Sequence, residues 1–425
     1  MNTIKVNTSF NFYAIMFIVV TVIAFSPFRN YVQTKTISDI LLIGCTGLIM
    51  AYYSVLCIRG RLAIRKVNLF SVAFLISIPL MSAIQAYRVF DQPLYLGLLA
   101  NRSYLLILCS FLIIRFYINR NLTQISIEKS LIFLCWANLV ICLAIVTLLD
   151  PGSFDYRSNF VTNPTGANGS DFILPMPFIL FGLFYYASSF ISSPARISFF
   201  SFLVFAFYIW FFTPGTGRIL SLTVGLILVA IPSFLTTRVI RQIVFMLVII
   251  PLAIVMFQNV SSEGSLYSDG YVAITTVDTV DDPSANIRVV QVTQAIPYIT
   301  ESFWLGNGLL SGKWEGGFEG VFGHFYPTDI GLVGIIFCFG LVGVLVYLYL
   351  LVFFFNEYRL FRRNSRNTSI VYVAALCFFG YLVISSIFTA SAIFYYEQVA
   401  FTLVIIMIFR DPIIDSYNGD KRLHP

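Results

Sequence analysis

TDIGLVGIIFCFGLVGVLVYLYLLVFFF, Thr328–Phe355, carries a single charge, Asp329, in its first turn. About 20 mostly apolar residues suffice to cross a hydrocarbon core. In lipid the backbone must satisfy its own hydrogen bonds, so such a run is a helix. The composition around it agrees. A hydrophobic fraction of 58%, only 11% charged residues and a mean hydropathy of +0.86 exclude an ordinary soluble domain. The 44 Phe and 24 Tyr suit a chain solvated by lipid with aromatic rings at both interfaces.

Working outward from this run, the chain holds twelve apolar stretches: 10–28, 38–58, 67–87, 97–117, 130–149, 172–192, 197–213, 217–236, 241–258, 328–355, 369–388 and 391–410. They predict an all-α integral membrane protein, a single polytopic domain over residues 1–425. The first stretch follows a weak basic region with Lys5 alone and lacks a small-residue cleavage site, so it reads as an uncleaved first span. The net charge of +6 is no nucleic-acid signal, because the basic residues lie in short loops between apolar runs. With a cytoplasmic N-terminus, eighteen of the 26 Lys and Arg fall on the inner side, in clusters such as Arg59–Lys66 and Arg359–Arg366. The clusters alternate loop after loop, which predicts both termini inside. All seven cysteines sit in apolar runs without metal-ligand spacing, against a disulfide framework or a zinc site. No cofactor and no metal are expected.

The outer side holds one long connection, residues 258–327, between spans nine and ten, and loops of this length are usually functional or disordered. Within it, Ile287, Val290, Val292, Ala295 and Ile296 predict a short amphipathic helix packed on the membrane face of the protein. Fourteen of the 20 acidic residues also lie on the outer side, so an anionic ligand would need individually placed arginines.

Arg218 ends FFTPGTGR and opens the eighth span. Free backbone N–H groups at a helix start, beside a guanidinium fork, bind phosphate well. The alternative is an interfacial arginine that snorkels to the headgroups. Arg288 starts the amphipathic stretch and either binds ligand or pairs with a loop carboxylate such as Asp281 or Asp282. His324 is the outer-side group that titrates near neutrality, as a general base needs; the alternative is a structural imidazole. Thr328 and Asp329 read as N-cap residues of the tenth span. Glu397 and Arg102, near outer ends of their spans, either line a polar substrate pocket or form a buried pair. Trp314, Phe318, Phe322 and Phe325 offer faces on which sugars could stack, or form an interfacial aromatic belt.

In order and spacing these pieces resemble the O-antigen polymerase and O-antigen ligase superfamily of bacterial envelope polysaccharide synthesis. The resemblance rests on Thr216-Gly217-Arg218 at the start of a mid-chain helix, and on Arg288 leading to Pro297 and Trp304-Leu305-Gly306-Asn307-Gly308. His324 follows, then Gly331-Leu332-Val333-Gly334, a spacing repeated at Gly340-Leu341-Val342-Gly343. It is strongest over 213–343; His324-Phe325 and the missing Ser before Arg218 depart from the family pattern. The resemblance implies a GT-C-like, metal-independent glycosyltransferase of the bacterial inner membrane acting on undecaprenyl-pyrophosphate-linked glycans. It implies Arg218 and Arg288 on the pyrophosphate and His324 on the acceptor hydroxyl. Arg102, Glu397, Asp329 and Trp314 are the candidates on the substrate side. A chain-length regulator and a flippase are the implied partners, beside membrane lipid and no nucleic acid. Imperfect motifs favour a polymerase over a ligase. A transporter is the rival of another class, for which internal repeats and discontinuous helices are the marks; neither is evident in the sequence.

Overall fold

In the computed structural model of the chain, the described residues are 66–101, 122–148, 160–162, 170–172, 177–192, 196–212, 283–323, 325–363, 368–389, 391–394 and 398–410, with isolated positions at 14–15, 17–19, 113–114 and 117. Eleven helices run in chain order through them: α1 Lys66–Phe90, α2 Leu94–Ala100, α3 Gln124–Leu148, α4 Pro177–Ser192, α5 Arg196–Phe212, α6 Pro283–Glu301, α7 Gly317–Phe322, α8 Gly331–Arg363, α9 Ile370–Thr389, α10 Ser391–Phe394 and α11 Gln398–Arg410. A 3₁₀ turn, Pro327–Ile330, leads into α8. Two three-residue strands, β1 Phe160–Thr162 and β2 Ser170–Phe172, pair antiparallel. Phe172, in the sixth apolar run, therefore belongs to a strand, and the described helix of that run begins at Pro177. The runs at 38–58, 217–236 and 241–258 lie outside the described residues.

Among the described residues, three helices are long and apolar enough to cross a membrane: Gln124–Ala144, Pro327–Arg363 and Ile370–Ile387. Three shorter apolar helices accompany them: Pro177–Ser192, Arg196–Ile209 and Gln398–Arg410. Burial sorts them. A helix that is hydrophobic all round belongs inside, and α9 buries Val371, Tyr372, Ala374 to Phe379, Leu382 and Val383. The first two turns of α4, Pro177–Phe184, are likewise buried on every side. In contrast, α5 leaves Ile197, Phe200, Val204 and Phe207 exposed, a single stripe at helical spacing. α4 packs on α9, α5 and α3, and α8 packs on α9. At the α4–α5 crossing Gly182 is needed, because a Cβ there would sit 2.6 Å from the ring of the buried Phe205. Small residues let membrane helices approach closely, where van der Waals packing replaces the hydrophobic effect as glue.

One end of the bundle is held by polar groups. Tyr185 donates to Glu128 at 2.7 Å and Gln124 donates to the Ile408 carbonyl at 2.9 Å. Glu357, only 3% exposed, pairs with Arg410 at 2.9 Å and accepts a hydrogen bond from Tyr372 at 2.9 Å. These contacts join the start of α3, the end of α4, the end of α8, the start of α9 and the end of α11. Successive apolar helices therefore alternate in direction.

α8 is not continuous. Gly340 takes φ 59° and ψ −152°, which ends one helix and starts the next; only glycine adopts this region without strain. Below the break, Leu345, Leu348, Tyr349, Val352 and Phe355 form an exposed apolar stripe. Above it, Gly331, Gly334, Ile335 and Phe337–Phe339 are buried in protein. At 1.5 Å per residue Leu341–Arg359 measures about 29 Å, close to the hydrocarbon thickness. The tenth apolar run is thus two pieces in different surroundings, and the absence of a discontinuous helix read from the sequence is corrected here.

Candidate functional site

A break in a helix leaves backbone groups without partners. Here the segment Phe303–Gly308, from the long connection, supplies them. Leu341 donates its N–H to the Phe303 carbonyl at 2.9 Å, and Val342 to Trp304 at 3.5 Å. In the other direction, the Asn307 N–H reaches the Phe337 carbonyl at 2.8 Å, and the Gly308 N–H reaches Cys338 at 2.9 Å. So close an approach requires glycine on both sides. Gly306 has φ +71°, and a Cβ there would sit 2.5 Å from the backbone of Cys338, Phe339 and Gly340.

On its far face the segment presses against α1, where a Cβ on Gly308 would lie 2.6 Å from the Ala86 nitrogen. The contact is polar. Ser82 accepts from the Leu309 N–H at 3.0 Å and from Asn101 Nδ2 at 3.3 Å. Gln92, fully buried, donates to the Leu309 carbonyl at 3.1 Å and accepts from the Ser311 N–H at 2.7 Å. A left-handed Asp91, φ 57°, turns the chain after α1 so that Gln92 points inward. Its N–H closes the helix on the Tyr87 carbonyl at 3.0 Å.

Asn307 is 1% exposed and donates from Nδ2 to the carbonyls of Phe337, at 3.0 Å, and Tyr298, at 3.3 Å. Its Oδ1, like Gln294 Oε1 on α6, is buried without a hydrogen-bond partner. An unmet buried acceptor costs about 1–3 kcal/mol. Above these groups lies an aromatic cluster. Tyr298 packs its ring 5.1 Å from Phe322 and 6.0 Å from Phe337, and Phe337 lies 4.9 Å from Phe325. Phe318 and Phe90 complete it.

The cluster corrects one expectation. Phe325 is fully buried and presents no face to a sugar, while Phe318 and Phe322 are half-buried, packed on each other and on Phe325. Trp314 is half-buried in a turn, its N–H donated to the Ser311 carbonyl at 2.8 Å. A second correction concerns capping. Thr328 and Asp329 lie inside the 3₁₀ turn, which Tyr326 precedes without a side-chain cap bond. The Thr328 hydroxyl donates to Asp329 Oδ1 at 3.2 Å, and the Asp329 side chain is exposed. The third concerns α6. That helix exists, but Val290 and Ile296 are 55% and 52% exposed, and its buried face carries Gln291 and Ala295 with Val292, Tyr298 and Ile299. Val292 and Ala295 stay on the buried face as expected, while Gln291 joins it, which counting apolar residues could not foresee.

Arg288 lies on the first half of α6 with its side chain exposed, and no ion pair to it is found among the described residues. α6 packs on both the 3₁₀ turn and α8. Arg288 and Asp329 thus belong to elements in direct contact. Arg218, His324, Arg102 and Glu397 lie outside the described residues, although Phe325, next to His324, is placed in the aromatic cluster. Sequence reasoning named Asn307 only as a motif position without a role and passed over Gln92 and Ser82, whose signal was polar side chains in otherwise apolar surroundings. It also passed over the Glu357–Arg410–Tyr372 cluster at the opposite end. Compared with known proteins, the chain matches no family model, no curated protein and no solved structure.

Proposed function

We propose that the chain is a membrane-embedded polymerase of bacterial envelope polysaccharide, joining undecaprenyl-pyrophosphate-linked repeat units at the outer face of the inner membrane. In this reading it crosses the membrane twelve times in a GT-C-like arrangement, with residues 258–327 outside and both termini in the cytoplasm. One observation carries the proposal: separate motif segments pack together. The helix bearing Arg288 packs on α8, and Gly306-Asn307-Gly308 fills the break at Gly340, the first residue of the second Gly-x-x-Gly spacing. That shared packing of the motif segments supports a common site.

The proposed reaction is a displacement at the anomeric carbon of the donor sugar. The acceptor hydroxyl oxygen forms the new bond to that carbon while the bond to the pyrophosphate oxygen breaks. Undecaprenyl pyrophosphate departs with the electron pair. Arg218 and Arg288 stabilise the charge that grows on it, and removing one such contact typically costs about 10²–10³-fold in rate. His324 takes the proton from the acceptor hydroxyl, a further contribution of about 10²–10⁴-fold. Neither step calls on a metal.

The break in α8 favours a second reading, a transporter with a discontinuous helix. Such helices use their freed backbone groups to hold substrate at the bilayer midplane. Here the carbonyls of Phe337 and Cys338 and the N–H groups of Leu341 and Val342 are already taken by the protein's own loop. The membrane-length piece of α8 also starts just after the break. Both points support the enzyme. The test is incubation of the purified protein with purified lipid-linked repeat units: a polymerase makes a ladder of polymer, and Arg288→Ala abolishes most of it.

A further inference from the structure

Asn307 is an expensive residue for its place. A buried side chain with one satisfied end and one unmet oxygen would be replaced by an apolar one if filling space were its only task. Its two Nδ2 donations explain it. They reach the backbone of Tyr298, on the last turns of α6, and of Phe337, on the upper piece of α8. The rings of those two residues are the floor on which Phe322 and Phe325 sit, at 5.1 Å from Tyr298 and 4.9 Å from Phe337. One amide thus fixes the Arg288 helix against α8 and fixes the support of the segment that contains His324. The main-chain N–H of Asn307 adds a second bond to the same Phe337 carbonyl, so backbone and side chain together anchor the Gly306–Gly308 segment to α8.

We propose that Asn307 is a positioning residue for glycosyl transfer: it sets the Arg288 helix and the His324 segment at their working separation, without touching substrate. The proposal rests on the polymerase reading. It predicts a specific kinetic signature, because a misplacement of about 1 Å can cost roughly 10²-fold in rate while binding groups remain present.

The experiment uses the full-length protein in lipid nanodiscs with the lipid-linked repeat unit as substrate. Asn307→Ala should lower kcat by about 10²-fold with KM changed by less than about threefold. Tyr372→Phe, at the opposite end of the bundle, serves as a control for simple destabilisation and should keep its kcat. Asn307→Ser replaces the alanine variant should that one not fold, and must show the same split. In parallel, spin labels on the exposed Val290 of α6 and Val321 of α7 report the separation directly. Asn307→Ala should broaden and shift that distance distribution. A kcat loss no larger than that of Tyr372→Phe, or an unchanged distance distribution, overturns the positioning role. A wild-type protein that forms no polymer overturns the polymerase reading and the catalytic half of this proposal, and the distance measurement still decides whether Asn307 sets the helix separation.

Discussion

Gly306→Ala puts a methyl group where the loop and the broken helix touch. The new Cβ would lie 2.5 Å from three backbone atoms of Cys338, Phe339 and Gly340, none of which can rotate away. The residue also holds φ +71°, a region that costs a non-glycine residue about 1–2 kcal/mol. The penalty nevertheless has a ceiling, because the loop can leave the break. Leaving forfeits four well-formed hydrogen bonds: Leu341 to Phe303, Asn307 N–H to Phe337, Asn307 Nδ2 to Phe337, and Gly308 to Cys338. At about 1 kcal/mol each the ceiling is about 4 kcal/mol. Gly312 supplies the control, since a Cβ there meets nothing within 4 Å. Amide hydrogen exchange read by mass spectrometry over 303–308 and 337–342 is the assay. Gly306→Ala should speed exchange at Leu341 and Val342 by up to roughly 10³-fold, the equivalent of that ceiling at 1.4 kcal/mol per decade. Gly312→Ala should leave it within about threefold, as an unstrained surface change should. Equal exchange in the two variants would refute the plugged break.

Three other outcomes are expected. Arg410→Met leaves the Glu357 carboxylate buried without its cation and should destabilise the protein by about 3 kcal/mol in thermal unfolding, whereas Glu357→Met with Arg410→Met should recover most of that. A double variant no better than the single one would remove the ion pair from the account. Gly182→Leu drives a side chain into the Phe205 ring and should cost about 1–3 kcal/mol, relieved by Phe205→Ala in the same chain. Arg288→Ala and Arg218→Ala should each reduce polymer formation by about 10²–10³-fold, and intact activity in both would sink the proposed chemistry.

The apolar runs were legible because lipid imposes a single rule, about 20 apolar residues in a helix. Accordingly α1, α5 and α9 lie within three residues of the expected stretches, while α3 starts six residues early and α8 runs eight residues beyond its stretch. The break in α8 was not legible. Gly340 stands in an unbroken hydrophobic run, and the partner that completes it, Phe303–Gly308, is more than thirty residues upstream. Periodicity within a run carries no information about a loop that returns to it. The same limit explains Asn307 and Gln92: their neighbours look like loop, and only the packing of α1, α6 and α8 makes them interior. Phe318, Phe322 and Phe325 show the converse. Aromatic residues among glycines suit both a sugar platform and a small core, and burial assigns Phe325 to the core, with Phe318 and Phe322 half-buried against it. Of the proposed site, Arg288 and Asp329 fall on touching elements. Trp314 keeps a half-exposed ring near α7.

The most direct measurement is made with the purified chain in vesicles containing undecaprenyl-pyrophosphate-linked repeat units and no other protein. The proposed chemistry predicts a ladder of lipid-linked polymer of increasing length, lost in Arg288→Ala. Movement of the lipid-linked unit across the vesicle membrane with no polymer formed would contradict it and identify a transporter instead.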